Sequence, residues 1–271
     1  MTGRLAMAVL AGVALAALPA LAQTGGLPFR DGSGPIEIVV DGSVEWQQKA
    51  KTFVARGNAR ARQDDVTVRA DVLTAHYRDS KDGGTEIWRI EADGNVRIAA
   101  PDRVATGERG EYDVDKQVLV LTGKPEFERG DDRITADDRL EFRQDERRAV
   151  AVGNATATRD DRTLEAGRLT ATFEADGEDG ERIQRVEAVG NVIFRSPTEM
   201  LRADRATYDV AEERIELEGS VVISQGRNRL KGQAAELDLK TGVSRMHGGQ
   251  GGVEGVFVPT AVAGPDGESG R

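Results

Sequence analysis

Apolar and polar residues alternate with a period of two along most of this chain. In residues 88–98 every even-numbered position is apolar or glycine, whereas every odd-numbered position is charged or polar. The even positions of residues 186–194 are again apolar or glycine. Such alternation is typical of a strand that buries one face and exposes the other. Because no stretch has a convincing helical period, the pattern predicts an all-β fold over residues 35–247.

A short motif recurs six times within this segment. Each copy centres on a glycine, which asparagine follows in four of the six copies. The glycines are separated by 37, 29, 30, 37 and 29 residues, and the first three recur 96 residues later. Spacings of this size indicate three units that were duplicated into a six-fold repeat, whose members bury their apolar faces by stacking. The six glycines are Gly57, Gly94, Gly123, Gly153, Gly190 and Gly219.

These glycines lie on the apolar side of the alternation, in the middle of each run. A Gly-Asn pair can form a hairpin turn, but the alternation continues in phase through the pair. A glycine on the inside of a bend has no Cβ to clash. We therefore expect each strand to bend at its glycine and wrap around a core.

The two ends of the chain have a different composition. Residues 1–22 contain Arg4, an uncharged apolar stretch and Ala20-Leu21-Ala22, which is the pattern of a signal peptide cut after Ala22. Residues 23–34 read as a flexible lead, and residues 248–271 as a glycine-rich disordered tail. The predicted protein is therefore exported, with one folded segment at residues 35–247.

Composition removes several classes of function. The chain has no cysteine and a formal net charge of −10, which argue against a disulfide framework and against nucleic acid as a partner. No zinc-type spacing, nucleophile elbow or phosphate-binding loop is present. Acidic pairs such as Asp64-Asp65 and Asp160-Asp161 are explained by turns without a metal. We expect a protein that is not an enzyme and has no metal or cofactor.

The apolar inner face is the remaining candidate for function. It is aliphatic and contains many alanines, among them Ala55, Ala92 and Ala188. Small side chains can leave a cleft between two sheets that suits acyl chains. They can equally let the sheets pack into a closed, dry core, and composition does not decide between the two.

The same residues carry a resemblance to a known family. The opening Pro35-Ile36-Glu37-Ile38, the stretch Phe53-Val54-Ala55-Arg56-Gly57-Asn58 and the repeated Val68-Arg69-Ala70-Asp71 resemble the OstA/LptA family of periplasmic lipopolysaccharide transport proteins. Further copies of the last motif are Ile134-Thr135-Ala136-Asp137 and Leu201-Arg202-Ala203-Asp204. The resemblance covers residues 35–247.

This resemblance implies an open, twisted, V-shaped antiparallel β-jellyroll whose interior carries the acyl chains of lipid A. It also implies head-to-tail self-association and docking to LptC-like jellyrolls at the inner membrane and LptD-like ones at the outer membrane. The edge strands would be residues 36–40 and 230–239. The implied lipid-binding residues are Phe53, Ala55, Ile90, Ala92, Val96, Ile98, Leu119, Leu121, Phe127, Val186, Val192, Phe194, Ile215, Leu217, Val221 and Ile223.

Two alternatives remain at this point. A retained N-terminal helix would make the chain a membrane-tethered, LptC-like component of the same system, although Ala20-Leu21-Ala22 favours cleavage. An exported polysaccharide-binding β-solenoid would need aromatic platforms, but the two tryptophans, Trp46 and Trp88, lie far apart in the sequence.

Overall fold

The computed structural model describes residues 35–80, 83–176 and 180–258. The predicted signal peptide at 1–22 and lead at 23–34 lie outside these residues. The described chain forms eighteen strands and, as its one helical element, a 3-10 turn at Gly249–Gly251. The strands are β1 Glu37–Val39, β2 Ser43–Gln47, β3 Thr52–Gln63, β4 Val66–Asp79, β5 Thr85–Ala100, β6 Arg103–Asp113, β7 Val118–Thr122, β8 Glu126–Arg129, β9 Asp132–Thr135, β10 Arg139–Arg143, β11 Arg148–Arg159, β12 Arg162–Asp176, β13 Gly180–Arg195, β14 Glu199–Asp209, β15 Arg214–Gln225, β16 Asn228–Asp238, β17 Val243–His247 and β18 Glu254–Val256.

Each long strand contributes to two half-sheets, and every pairing is antiparallel. Half-sheet 1 runs β2–β3–β4–β5–β6–β7–β10–β11 and continues through β16 to β17. Half-sheet 2 runs β1–β3–β4–β5–β6–β8–β9–β11 and continues through β16 to β18. Because each long strand bends in the middle, the chain passes from one half-sheet to the other along nearly every long strand.

The bends lie at the six predicted glycines. Between Arg56 and Ala59 the register with β4 shifts, so that Gly57 and Asn58 oppose the single residue Asp71. Two residues facing one is the pattern of a β-bulge, which kinks its strand. Gly57 has a φ of 94° and Asn58 a φ of 49°, the left-handed region that glycine and asparagine tolerate. The other five glycines and the residues after them also have positive φ.

The acidic pairs of the sequence occupy tight hairpin turns. Asp64-Asp65 joins the paired residues Gln63 and Val66, and Asp64 has a φ of 49°. Asp160, with a φ of 51°, has the same place between β11 and β12. Aspartate is favoured in two-residue turns because its short side chain tolerates this conformation.

The C-terminal end differs from the prediction. Residues 230–239 do not form an edge, because β17 covers one half of β16 and β18 covers the other. Glu254–Val256 also lies inside the segment that was expected to be a disordered tail. β17 pairs only with residues Ala234 to Asp238, which leaves the backbone of Arg229 to Lys231 available to β18. The folded part therefore continues to Val256, and the edges are β1 and β2 at one end and β17 and β18 at the other.

The inner faces of the two half-sheets form the core. In β15, Leu217 and Val221 are fully buried while Glu216 and Glu218 are exposed. Outward acids and arginines pair along and across strands: Arg89 Nη2 lies 2.8 Å from Glu91 Oε1 on its own strand and 2.9 Å from Glu111 Oε2 on β6. These features confirm the predicted antiparallel β-jellyroll with an apolar inside.

Candidate functional site

The inner face is organised as rows of side chains that cross the strands. One row in half-sheet 2 follows the cross-strand pairs Val68–Ile98, Ile98–Ala105, Ala105–Phe127 and Phe127–Ile134. A matching row in half-sheet 1 joins Ile90, Tyr112 and Leu119. Directly opposed side chains lie about 5 Å apart, so each row is a continuous apolar strip along the molecule.

The predicted lining residues fall into two clusters. The N-terminal cluster contains Ala55, Ala92, Val96 and Leu121, with Ile90, Ile98 and Leu119 packed against it. The C-terminal cluster contains the seven predicted residues from Val186 to Ile223, and Phe127 packs against it. Phe53 instead stacks on Trp46 with a centroid distance of 5.5 Å and meets Tyr77 at 4.9 Å.

The two clusters differ in how completely they are closed. Phe194, Leu201 and Leu217 are each 1% exposed, and Ile215 is fully buried. In the N-terminal half, by contrast, Ile90, Ile98, Ala105 and Leu119 are only half-buried. Composition leaves two arrangements open, a cleft between the sheets and a closed core. The C-terminal half has the closed core. The N-terminal half keeps part of its apolar lining accessible.

Arginines line the mouth of half-sheet 2 next to this accessible lining. They are Arg103, Arg129 and Arg159. Each lies on the same face of its strand as the apolar row, two residues further towards the end of the strand. Asp102 Oδ2 lies 2.9 Å from Arg129 Nε, and its Oδ1 lies 3.8 Å from Arg103 Nη1. Arg159 pairs with Asp132. Burial lowers the pKa of Arg103, Asp102 raises it, and the positive charge of Arg129 lowers it further. We call Arg103, Arg129 and Arg159 the basic lip.

Both ends of the molecule expose apolar side chains on their edge strands. At the N-terminal end Ile38, Val44 and Trp46 are 51%, 57% and 60% exposed. Trp46 Nε1 donates a hydrogen bond to the Tyr77 hydroxyl over 2.7 Å, which holds the indole at the open end of the interior. At the C-terminal end Val256 and Phe257 are 59% and 61% exposed. Exposed strand edges with apolar side chains are typical docking surfaces for another strand.

The sequence interpretation missed the basic lip and Ala105. Arg103 stands two residues before Ala105 on the same parity, so the continuing alternation places it on the inner face. That signal was present in the sequence. It was obscured because arginines also alternate with acids along the outer faces of neighbouring strands.

The described residues contain neither a membrane-spanning helix nor a cluster of metal ligands. None of their helical segments is long and apolar enough to cross a membrane. Within 35–80, 83–176 and 180–258, no three histidine, aspartate or glutamate side chains gather in a way that could hold a metal ion. His76 lies 3.5 Å from Glu91 and beside the ring of Trp88, at a centroid distance of 5.6 Å.

Known proteins similar to this chain include two curated relatives and one solved structure. An uncharacterised protein of Rhizobium meliloti is 26% identical over 114 residues, 40% of this chain and 61% of that protein. The LPS-assembly protein LptD of Nitrosomonas europaea is 33% identical over 74 residues, 27% of this chain. The chain thus spans 61% and 10% of the lengths of these relatives. The crystal structure of LptH, the LptA homologous periplasmic component of the conserved lipopolysaccharide transport device from Pseudomonas aeruginosa, aligns with 12% identity and a TM-score of 0.21, covering 83% of this chain and 96% of that one.

A family comparison covers most of the chain. The family described as "LptA/(LptD N-terminal domain) LPS transport protein" matches residues 41–138 and again residues 134–243. The two successive matches agree with the duplication seen in the glycine spacings. Together they confirm the resemblance seen in the sequence motifs, and the chain belongs to the LptA/LptD N-terminal domain family of lipopolysaccharide transport proteins.

Proposed function

We propose that this protein is a periplasmic carrier that moves lipopolysaccharide along its apolar interior, from an inner-membrane Lpt complex to an outer-membrane translocon. The observation that carries the proposal is the pair of apolar rows on the inner faces of the half-sheets, part of which remains accessible at Ile98 and Leu119. An apolar strip along a bent sheet shields acyl chains from water without forming a covalent bond. The protein acts by binding and not by catalysis.

The exposed ends support the finer parts of this proposal. β1 and β2 expose Ile38, Val44 and Trp46, and the opposite end exposes Val256 and Phe257. Heterologous pairing of one end with the other joins jellyrolls head to tail. LptC-like and LptD-like jellyrolls would dock at the two ends, and further copies of this chain could lie between them. Export by a signal peptide cut after Ala22 would deliver the protein to the periplasm.

Photo-crosslinking in cells tests the carrier function. A photoreactive residue at Ile98 points into the interior, whereas one at Arg97, the next residue, points outward and serves as the control. The proposal expects a lipopolysaccharide adduct at Ile98 and none at Arg97. If exported and folded protein gives no adduct at either position, lipopolysaccharide does not travel along this interior and the proposal fails.

A further inference from the structure

The duplication allows each half of the interior to be compared with the other, residue by residue. The row Val68–Ile98–Ala105–Phe127 has its counterpart 96 residues later in Leu164–Phe194–Leu201–Ile223. Both rows are built by corresponding cross-strand pairs, so equivalent positions can be compared directly.

Three of these four positions carry a smaller side chain in the N-terminal copy. Valine replaces leucine at Val68, isoleucine replaces phenylalanine at Ile98, and alanine replaces leucine at Ala105. Only Phe127 is larger than its counterpart. Phe194 and Leu201 fill the C-terminal interior and are each 1% exposed, whereas Ile98 and Ala105 are half-buried. The N-terminal row thus fills less of the space that the fold provides.

The opposite half-sheet shows that the missing side-chain volume has an effect. Leu119 and its counterpart Ile215 are nearly equal in size, yet Leu119 is half-buried and Ile215 is fully buried. Ile90 is half-buried although its counterpart Val186, which is smaller by one methylene group, is 1% exposed. Side chains of equal or larger size are thus more accessible in the N-terminal copy, where the row on the other half-sheet is smaller. The accessible apolar surface therefore spans both half-sheets.

The polar residues beside this surface also differ between the two copies. Arg103 and Arg129 correspond to Glu199 and Gln225. In the C-terminal copy Gln225 Nε2 donates to Glu199 Oε1 over 3.2 Å, so the fold itself does not require arginine at these places. Asp102 and Asp132 pair with the three arginines of the basic lip. Guanidinium groups suit phosphate groups.

We propose that the acyl chains bind in the N-terminal copy, between Ile98 and Ala105 on one half-sheet and Ile90 and Leu119 on the other, with an anionic phosphate headgroup on the basic lip. The C-terminal copy is closed in this conformation, so the acyl chains of the bound amphiphile rest in the N-terminal copy. The occupant is an amphiphile that joins phosphate groups to acyl chains, because the charged lip and the apolar surface are adjacent. The inference rests on the proposed function for the identity of that amphiphile as lipopolysaccharide.

A substitution taken from the chain's own second copy tests where the acyl chains bind. The double variant I98F/A105L introduces the side chains that the fold already carries at Phe194 and Leu201. The matched control, R97F/T106L, places the same side chains on the outer face of the neighbouring cross-strand pair. Purified protein is titrated with diphosphoryl lipid A. We expect I98F/A105L to bind about tenfold more weakly or worse, corresponding to at least about 1.4 kcal/mol, and the control to bind like the wild type.

The outcomes separate this inference from the carrier function. If the folded I98F/A105L variant binds as tightly as the wild type, the N-terminal location is overturned while the carrier function stands. If the wild type itself does not bind lipid A, the proposed function fails. Should the double variant not fold, photo-crosslinking of the otherwise native chain decides the question. Lipid adducts at Ile98 with none at Phe194 support the inference, and equal adducts at both overturn it.

The headgroup is tested with the variant R103Q/R129Q and with two forms of the lipid. We expect the wild type to prefer diphosphoryl lipid A over the same lipid without phosphates, and the variant to lose that preference. Inorganic phosphate added to the dephosphorylated lipid distinguishes a free anion from a headgroup. If the wild type shows no preference, or if free phosphate restores tight binding, the assignment of the lip to a lipid headgroup is overturned.

Discussion

Asn95 donates a hydrogen bond from Nδ2 to Asp71 Oδ2 over 2.9 Å. The bond joins the Gly-Asn motif of β5 to the apolar-x-Ala-Asp motif of β4, so two separate sequence repeats are partners in the structure. Asn154 with Asp137 at 2.6 Å and Asn58 with Asp41 at 3.1 Å repeat the arrangement. Each of these three bends is thereby held by a side chain of the neighbouring pass of the chain.

Removing one of these acids should loosen its bend. We expect Asp71→Ala to lower the free energy of unfolding by about 1 kcal/mol, the usual net contribution of one hydrogen bond to stability. Urea denaturation of the purified chain measures the loss. Asp65→Ala in an exposed hairpin turn is the control and should change stability by less than about 0.5 kcal/mol. Equal effects at the two sites would show that the bond does not stabilise the bend.

Two bend glycines should differ in their tolerance of a side chain. Gly94 has a φ of 76°, and a Cβ there would collide with the carboxylate of Asp71. Gly190 has a φ of 85°, but the nearest atoms to its Cβ would belong to Gly167 at 3.8 Å. Gly190→Ala should therefore lose about 1–2 kcal/mol from backbone strain alone, and Gly94→Ala should lose more. Thermal unfolding of both variants gives the order, and the reverse order would contradict it.

The difference in closure between the copies predicts unequal costs of truncation. Ile215 is fully buried, so Ile215→Ala should destabilise the fold by about 2–5 kcal/mol. Its counterpart Leu119 is half-buried, and Leu119→Ala should remove clearly less. Urea denaturation of the two variants measures the difference. Losses of the same size would mean that the N-terminal interior is closed in solution.

Glu199 gives stability an unusual dependence on pH. Burial raises the pKa of this carboxyl above its ordinary value of 4.5. The folded state then holds the proton more tightly than the unfolded chain does. The contribution to stability is therefore present below 4.5 and lost as pH rises through the folded pKa. Glu199→Gln should stabilise the protein near pH 7 and change little below the ordinary pKa, as measured by thermal unfolding at several pH values.

Asp209 should show the opposite sign and serves as the comparison. The backbone N–H of Glu212 donates to Asp209 Oδ1 over 3.0 Å and lowers the pKa of that carboxyl. Its contribution is present above the unfolded pKa and is lost as pH falls through the folded pKa. Asp209→Asn should destabilise the protein near pH 7 and have little effect in strong acid. If both variants responded alike to pH, burial and hydrogen bonding would not be the causes.

The bends and the inner faces were predictable because both depend on local rules. A glycine that keeps the alternation in phase marks a bend, and parity alone assigns Leu217 inward and Glu216 outward. The resemblance to a family then supplied the way in which the strands close into a jellyroll. These parts needed no knowledge of which strands are neighbours.

The state of the interior was not predictable in the same way. Whether Leu119 is accessible depends on the side chains of the other half-sheet, and these follow only from the pairing register, which places Ile98 and Ala105 in one row and Leu119 in another. The prediction of the C-terminal edge strand was wrong for a related reason. Residues 254–256 are too short and too rich in glycine to show alternation, and β18 forms because β16 offers unpaired backbone there.

The forked ends restrict how another jellyroll can attach. Each end offers two short strands, one in each half-sheet: β1 with β2, and β17 with β18. A partner that pairs with both gains avidity, because the second contact forms within an already tethered complex. It also loses the freedom to slip, since a one-residue shift would turn inward side chains outward in both half-sheets together. Pairing at both strands of an end therefore keeps the apolar strips of successive units in line.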